Sequence, residues 1–407
     1  MANKRVNGGV KETRRGNNEG SIFQRSNGYW KAQITVGVDP ATGKQKKRQF
    51  SGKTRGEVAK KLTAALNGLQ TGTYTEPTLL TLEKWLNDWL TGRKPHIAEN
   101  TYSGYENAIR CHLSPTLGKI KLKDLKTRDI QTLLNSKLEN GRVNGKGGLC
   151  PRTVKYIYDT LNTALLQAVK ERIIPYNIAD AVEIPKQTKR EMTTMTGAEI
   201  EVFFETVRNY QLNHHHTSPL FAAFYLDLST GIRRGELLGL HWQEVDFEKK
   251  RVMIKTQLLR GKKRLYFSEP KTAKSKRTIS INDSTIEILR DHKRRQNELR
   301  LSLGESYQDN GLVFCTDEGQ PIDPRNFTRH FETLLGKAGL THYRFHDVRH
   351  TFATIGLENG ISPKTLQEML GHSTFKTTMD TYSHVTPAMQ KEEAATMETA
   401  LKVCIKK

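Results

Sequence analysis

Hydrophobic periodicity changes from two residues to 3.6 within the first half of the chain, and a chain that does this cannot be one sheet or one bundle. Residues 21–25 and 29–38 read as a hairpin about a Ser-Asn-Gly turn. Trp30, Ala32, Ile34 and Val36 share one face, and Tyr29, Lys31, Gln33 and Thr35 share the other. A second turn at 39–43 leads into a third strand, 44–50, studded with Lys44, Lys46, Lys47 and Arg48. Thr54-x-x-Glu57 has the form of a capping box, after which Val58, Leu62, Ala65, Leu66 and Leu69 recur at helical spacing. Gly and Pro between 71 and 77 break that helix.

From residue 80 to about 185 the pattern is helical throughout. Leu82, Trp85, Leu86, Trp89 and Leu90 form one apolar stripe, and Tyr102, Tyr105 and Ile109 form another within 100–113. Two further helices read at about 127–140 and 152–171, on either side of a Gly-rich loop at 140–148. Each stripe is first of all core. The basic, proline-started connector 185–190 is a natural hinge. Beyond it, Thr196-x-x-Glu199 opens a helix with Ile200, Phe203, Phe204 and Val207 inward, and 219–228 is an apolar helix. The fold class is therefore multi-domain and mainly α with small β: a basic arm (1–20), a three-stranded sheet with one helix (21–72), a helical domain (80–185), a mixed α/β domain (191–385) and a tail helix (386–407).

Lys and Arg number 65 against 43 Asp and Glu, a net charge of +22. Such an excess favours a polyanionic partner bound in a salt-dependent way. The first 80 residues carry 15 Lys and Arg against 5 Asp and Glu, which marks the sheet module as a candidate DNA reader. A polar, basic sheet face can enter a major groove as a β-ribbon does, and Tyr29, Lys31, Gln33, Lys44, Lys46 and Arg48 are its candidates by face and charge. The competing role for that face is simple solubility. No apolar run approaches the roughly 20 residues of a spanning helix, so no membrane partner is expected. The start MANKRVNGG lacks the apolar core of a signal peptide. Cys111, Cys150, Cys315 and Cys404 are scattered without metal-ligand or disulfide spacing, so a reducing cytoplasm is the expected compartment. His214, His215 and His216 are consecutive, cannot all face one ion, and read as a solvated loop.

The chemistry concentrates near the end of the chain, in FHDVRHTFATIGLENGISPKTLQEMLGHSTFKTTMDTYSH, residues 345–384. His346 and Arg349 lie three apart on one face of a helix, His372 follows a helix-ending Leu-Gly, and Tyr382 sits in a polar stretch. Guanidinium forks match phosphate oxygens, imidazole moves protons near neutrality, and a phenol can be a covalent nucleophile. Upstream, Ser-Thr-Gly-Ile-Arg-Arg-Gly-Glu-Leu (229–237) places Arg233 at a turn-to-helix junction, with Glu236 one turn on to hold its guanidinium. Two arginines from distant segments can clamp both non-bridging oxygens of one phosphate. Between these halves, residues 269–278 read as a basic hairpin tip joining strands 264–268 and 277–281, where Lys271 can protonate a leaving 5′ oxygen. Lys274 and Lys276 share that loop and offer alternative amines.

The ordered set TGIRRGEL, PKT, FHDVRHTFA, LGHS and DTYSH resembles the tyrosine recombinases, most closely the three-part integrases of conjugative transposons and temperate phages of Gram-positive bacteria. The resemblance covers nearly the whole chain. It implies Arg233 and Arg349 as the arginine pair, Lys271 as general acid, His346 and His372 as the histidines and Tyr382 as the nucleophile. It implies DNA cleavage through a 3′-phosphotyrosine with no ATP, metal or other cofactor. It further implies arm-type sites read by the N-terminal sheet, and core-type sites gripped by the helical domain, with Thr101, Tyr102, Arg152, Thr153 and Lys155 as phosphate contacts. The implied assembly is a homo-oligomer on DNA, a dimer per site and a tetramer in synapsis, with the tail helix docked on a neighbour and an excision factor or host bending protein as helpers. Two rivals remain open: type IB topoisomerase-like relaxation of one duplex, and a DNA-binding regulator without catalysis.

Overall fold

The structure, a computed structural model, describes residues 20–38, 42–71, 74, 79–187, 192–213, 219–262, 264–270, 276–340, 343–372, 374–375, 378 and 397. The chain divides into two compact units, residues 1–188 and 189–407.

The first unit begins with an antiparallel sheet, β1 (Ser21–Gln24), β2 (Trp30–Val38) and β3 (Gln45–Gly52), with β2 in the centre. Helix α1 (Arg55–Gln70) covers one face, where Ala32 and Ile34 meet Val58 and Leu62. The period-two reading of β2 is correct. The cap of α1 differs by one position: Thr54 Oγ1 accepts the Glu57 N–H, but the Glu57 carboxylate reaches back to the N–H of Lys53. Cross-strand register also corrects the reading of β3. Ala32 pairs with Phe50 and Ile34 with Arg48, whereas Gln33 pairs with Gln49 and Thr35 with Lys47. Residues directly opposite share a face. Arg48 therefore lies on the helix-covered side, and Lys47 stands with Lys31 and Gln33. A bulge at Thr35–Gly37 brings Lys46 opposite Gly37.

The helical part of this unit consists of α2 (Leu82–Arg93), α3 (Glu99–Ala108), a π turn (Ile109–Leu113) running into α4 (Ser114–Leu117), α5 (Thr127–Asn140) and α6 (Pro151–Lys170). Its core takes the full stripe of α2 together with Ile130, Leu133 and Leu134 of α5 and Val154, Ile157, Leu161 and Leu165 of α6. Trp85 is core, and its indole N–H donates to the Ala164 carbonyl at 3.0 Å, so no polar group is stranded by burying it.

In the second unit, α7 (Gly197–Asn213), α8 (Leu220–Thr230), α10 (Asp283–Leu303), α11 (Pro324–Lys337) and α12 (Phe345–Glu358) surround an aromatic core. Phe224 stands at its centre, its ring 5.1–6.3 Å from those of Phe203, Phe327, Phe331 and Phe345. The Thr196–Glu199 box is present in full: each side chain accepts the other's backbone N–H, at 3.3 and 2.8 Å. Two small sheets complete the unit. One is β4 (Val245–Asp246), β5 (Arg251–Ile254) and β8 (Arg277–Ser280); the other is β6 (Gln257–Arg260) with β7 (Leu265–Ser268). This overturns the expected hairpin between 264–268 and 277–281. β7 pairs with β6, its sequence neighbour, and β8 crosses to β5 because Ile279 and Ile281 belong to the core that Val252 and Ile254 also line.

Candidate active site

Helix α8 ends at Gly231, whose φ of +60° gives the chain a left-handed turn and whose Cα has no room for a side chain. A Cβ there would lie 2.5 Å from Phe352 and 2.9 Å from Leu370. This close approach sets α8 against α12 and against α13 (Pro363–Leu370). Arg233 follows as the N-cap of α9 (Arg234–Leu238). Its backbone N–H donates to Glu236 Oε2 at 3.0 Å and its Nη1 to Glu236 Oε1 at 2.9 Å, the contact expected from their spacing. Arg234 points elsewhere, to Thr328 Oγ1.

Arg349 is buried on α12 and donates to two backbone carbonyls, Gly231 at 2.7 Å and Leu370 at 2.6 Å. Arg233 Nη2 donates to the next carbonyl along, Gly371, at 3.1 Å. A third guanidinium completes the set: Arg277, at the start of β8, donates from Nε to the Met369 carbonyl at 2.5 Å and from Nη2 to Glu236 Oε2 at 2.9 Å. Three consecutive carbonyls at the end of α13 are thus each held by a different arginine. Helix C-termini leave carbonyls unsatisfied and carry partial negative charge, so cations gather there. The Arg233 side chain keeps 38% of its surface exposed and that of Arg277 only 7%, so of these two Arg233 can meet a ligand.

His372 follows this corner immediately. Its N–H donates to the Gln367 carbonyl at 3.1 Å, Gln367 Nε2 donates to its carbonyl at 3.2 Å, and its Nδ1 lies 2.9 Å from Thr378 Oγ1. A neutral ring that accepts from Thr378 at Nδ1 carries its proton on Nε2 and can donate from there. His346 meets His350 edge to face at 5.0 Å. Desolvation, then Arg349 and Arg233, hold His372 down to about 3. Desolvation, then His350 and Arg349, hold His346 down to about 4, although part of its ring reaches solvent. Burial pushes the Glu236 carboxyl up, but its bond and charge contact with Arg277, followed by those with Arg233, outweigh this and leave it below the ordinary value. The Asp227 carboxyl is buried beneath the site with no hydrogen-bond partner among the described residues, and desolvation raises it well above its ordinary value. Arg233 and Arg277 thus share the Glu236 carboxylate, with Arg349 on the neighbouring carbonyls, a cation-rich pocket suited to a phosphodiester.

Both imidazoles bind protons less readily folded than unfolded. The stability this confers is present above the ordinary value of 6.5 and is lost as pH falls from there through 4 to 3. Buried His292, held down to about 4 by desolvation, adds in the same direction. The melting midpoint of the protein, followed by circular dichroism, is expected to drop steadily between pH 6.5 and 4, and His372→Asn is expected to shallow that slope. A slope unchanged in the variant would contradict the assignment of His372 as a half-buried ring held neutral.

The structure brings together Arg233, Glu236, Arg349, His346 and His372. Lys271 and Tyr382 lie outside the described residues, as does the tail segment 386–407 apart from Met397. Of the alternative amines, Lys276 sits 2.9 Å from Glu269 in an exposed ion pair, and Lys274 is outside the described residues. The sequence reading passed over Arg277 and Asp227. Arg277 is one basic residue in a basic stretch, and Asp227 is one polar residue in an apolar helix; neither has a local signature.

On the first unit, Lys31 Nζ bonds Gln49 Oε1 at 3.1 Å on the open sheet face, Tyr29 is exposed, and Lys44 lies outside the strand, before β3. Arg152 and Thr153 occupy the first turn of α6, where Thr153 Oγ1 lies 3.2 Å from Cys150 Sγ. Lys155 is paired with Asp159 at 2.7 Å. Thr101 is half-buried on α3, and Tyr102 lies beneath Lys94, whose ammonium is 5.7 Å from the ring centre. Among the described residues no group of His, Cys, Asp and Glu could hold a metal, and no helix is long and apolar enough to cross a membrane.

Residues 193–389 match the model of the phage integrase family, and residues 81–138 match that of the phage integrase N-terminal SAM-like domain. The chain is 30% identical over 393 residues to a tyrosine recombinase XerC-like protein of Caldanaerobacter subterraneus subsp. tengcongensis, covering 91% of this chain and 95% of that one. It is 27% identical over 389 residues to the ICEBs1 integrase of Bacillus subtilis, covering 94% and 100%. Its fold is similar to that of the Tn1549 transposon integrase solved with transposon right-end DNA: TM-score 0.64 and 23% identity, over 77% of this chain and 99% of that one. It is also similar to a lambda integrase tetramer bound to a Holliday junction: TM-score 0.55 and 20% identity, over 91% and 96%.

Proposed function

The chain belongs to the phage integrase family of tyrosine site-specific recombinases, and we propose that it integrates and excises a mobile genetic element with Arg233, Lys271, His346, Arg349, His372 and Tyr382 as its reacting set. The observation that carries this assignment is the convergence of Arg233, Arg349 and His372 on one corner, residues 369–372, from segments 138 positions apart.

The Tyr382 phenol oxygen attacks the scissile phosphorus. The P–O bond to Tyr382 forms as the bond to the 5′ oxygen breaks, Lys271 delivers a proton to that oxygen, and the phenol proton leaves through His346. Arg233, Arg349 and the Nε2–H of His372 oppose the charge that builds on the phosphoryl oxygens. The free 5′ hydroxyl of a partner strand then reverses the step on the phosphotyrosine, and the bond count is conserved.

The sheet of residues 21–72 reads arm-type sites, presenting Tyr29, Lys31, Gln33 and Lys47 on its open face. The helical domain of 80–185 contacts core-type sites through Thr101, Tyr102, Arg152, Thr153 and Lys155, and the chemistry resides in 191–385. Segment 386–407 docks on a neighbouring protomer in a dimer per site and a tetramer in synapsis; the lambda integrase of similar fold was solved as a tetramer bound to a Holliday junction. The protein acts on nucleoid DNA in the cytoplasm, with an excision factor or bending protein setting direction.

Purified protein given two duplexes that carry the element's end and its insertion site is expected to produce recombinant joints. Relaxation of one supercoiled circle with no joint between duplexes would instead make it a topoisomerase.

A further inference from the structure

We propose that Arg277 is a positioning residue for the cleavage step, setting Arg233 through Glu236 and setting the corner that carries His372 through the Met369 carbonyl. This inference rests on the proposed reading of Arg233 and His372 as phosphate ligands and extends it to a side chain bonded to the groups that hold them.

Three observations carry it. First, the Arg277 side chain keeps only 7% of its surface exposed, and its guanidinium is engaged by protein acceptors. Second, it is bonded to both supports of the site at once: Nη2 to Glu236 Oε2 at 2.9 Å and Nε to the Met369 carbonyl at 2.5 Å. Glu236 Oε2 also accepts the Arg233 backbone N–H, and Oε1 accepts Arg233 Nη1. The two arginines therefore share this carboxylate, meeting at Oε2, and its plane, which orients the Arg233 fork, depends on Arg277. Third, Gly371 is cut to fit Arg277: a Cβ at Gly371 would lie 3.1–3.3 Å from the guanidinium, and the φ of +63° there turns the chain directly into His372. Lysine cannot replace such a residue, because a single ammonium does not span a carboxylate and a carbonyl in fixed directions.

The test is the rate of covalent adduct formation by the full-length chain on a nicked suicide duplex, measured for wild type, Arg277→Gln and Arg277→Lys. Arg277→Gln is expected to lower the rate about 100-fold, and Arg277→Lys about 10-fold, with duplex affinity changed less than about 3-fold, since displacing a reacting group by an ångström costs rates of this order. The same comparison on a duplex whose scissile phosphate is a methylphosphonate separates positioning from bulk damage. That linkage is uncharged and needs little from Arg233, so the Arg277→Gln defect is expected to shrink below about 5-fold. A defect of equal size on both duplexes, or none on either, overturns the role proposed for Arg277. Should Arg277→Gln melt well below wild type, the ratio between the two duplexes is read on Arg277→Lys, which keeps a cation beside Glu236. Absence of adduct from the wild type as well would overturn the reading of the whole site, an outcome distinct from a normal wild type with an unaffected Arg277→Gln.

Discussion

Tyr382→Phe is expected to bring covalent adduct formation on a suicide duplex down by at least about 10⁴-fold, while duplex binding stays within about 2-fold of wild type. Removing the phenolic oxygen removes the atom to which phosphorus bonds, and no rearrangement of the arginines restores it. Binding is spared because affinity for DNA arises from many lysines and arginines neutralising backbone charge, and one neutral phenol contributes little to that sum. The measurement is a denaturing gel of labelled duplex, where adduct migrates with protein. Adduct of wild-type yield from Tyr382→Phe would show that another side chain is the nucleophile and would remove the present mechanism.

Glu236→Gln has the second largest expected effect, and it acts on stability and rate together. Glu236 is 1% exposed and is the carboxylate that Arg233 and Arg277 share. Removing one member of a buried ion pair leaves the others uncompensated, a cost of about 3–5 kcal/mol. Asp227 moderates this. Desolvation and, after it, Glu236 push the Asp227 carboxyl up while Arg349 opposes them, so loss of Glu236 eases ionisation of Asp227 and offsets part of the missing charge. The expected loss therefore lies near the lower figure, about 3 kcal/mol, or roughly 6–12 °C in melting midpoint for a unit of this size. Cleavage is expected to fall about 10²- to 10³-fold, the cost of a misplaced electrostatic donor. A variant that melts and cleaves like wild type would mean that Arg233 is oriented by something other than Glu236.

Local rules carried much of this architecture. The period-two run of β2, the stripe from Leu82 to Leu90, the helix at 127–140 and the box joining Thr196 to Glu199 are each settled by neighbours within a few residues, and all four have the expected form. Arg233 and Glu236 belong to the same class, since residues three apart at a helix start must meet. The reading failed where partners are distant. β7 and β8 are adjacent in sequence and each reads as a strand, yet they lie in different sheets, because the partner of β8 is chosen by where its isoleucines find the core. In β3, charge alone cannot rank Lys46, Lys47 and Arg48. The register against β2 does so and turns Arg48 to the covered side.

What the sequence determined by itself was the kinds of element, the chemical groups available and the membership of a family, because these follow from short-range periodicity and from motifs that are contiguous along the chain. Tertiary structure alone decided that three arginines would share three successive carbonyls and that one of them, Arg277, would be shut away from solvent. The reason is geometric. A guanidinium's role depends on which lone pairs its five N–H groups meet, and those lone pairs belong to a helix end that lies, for Arg233, 138 residues away and becomes a neighbour only once α8, α12 and α13 have packed.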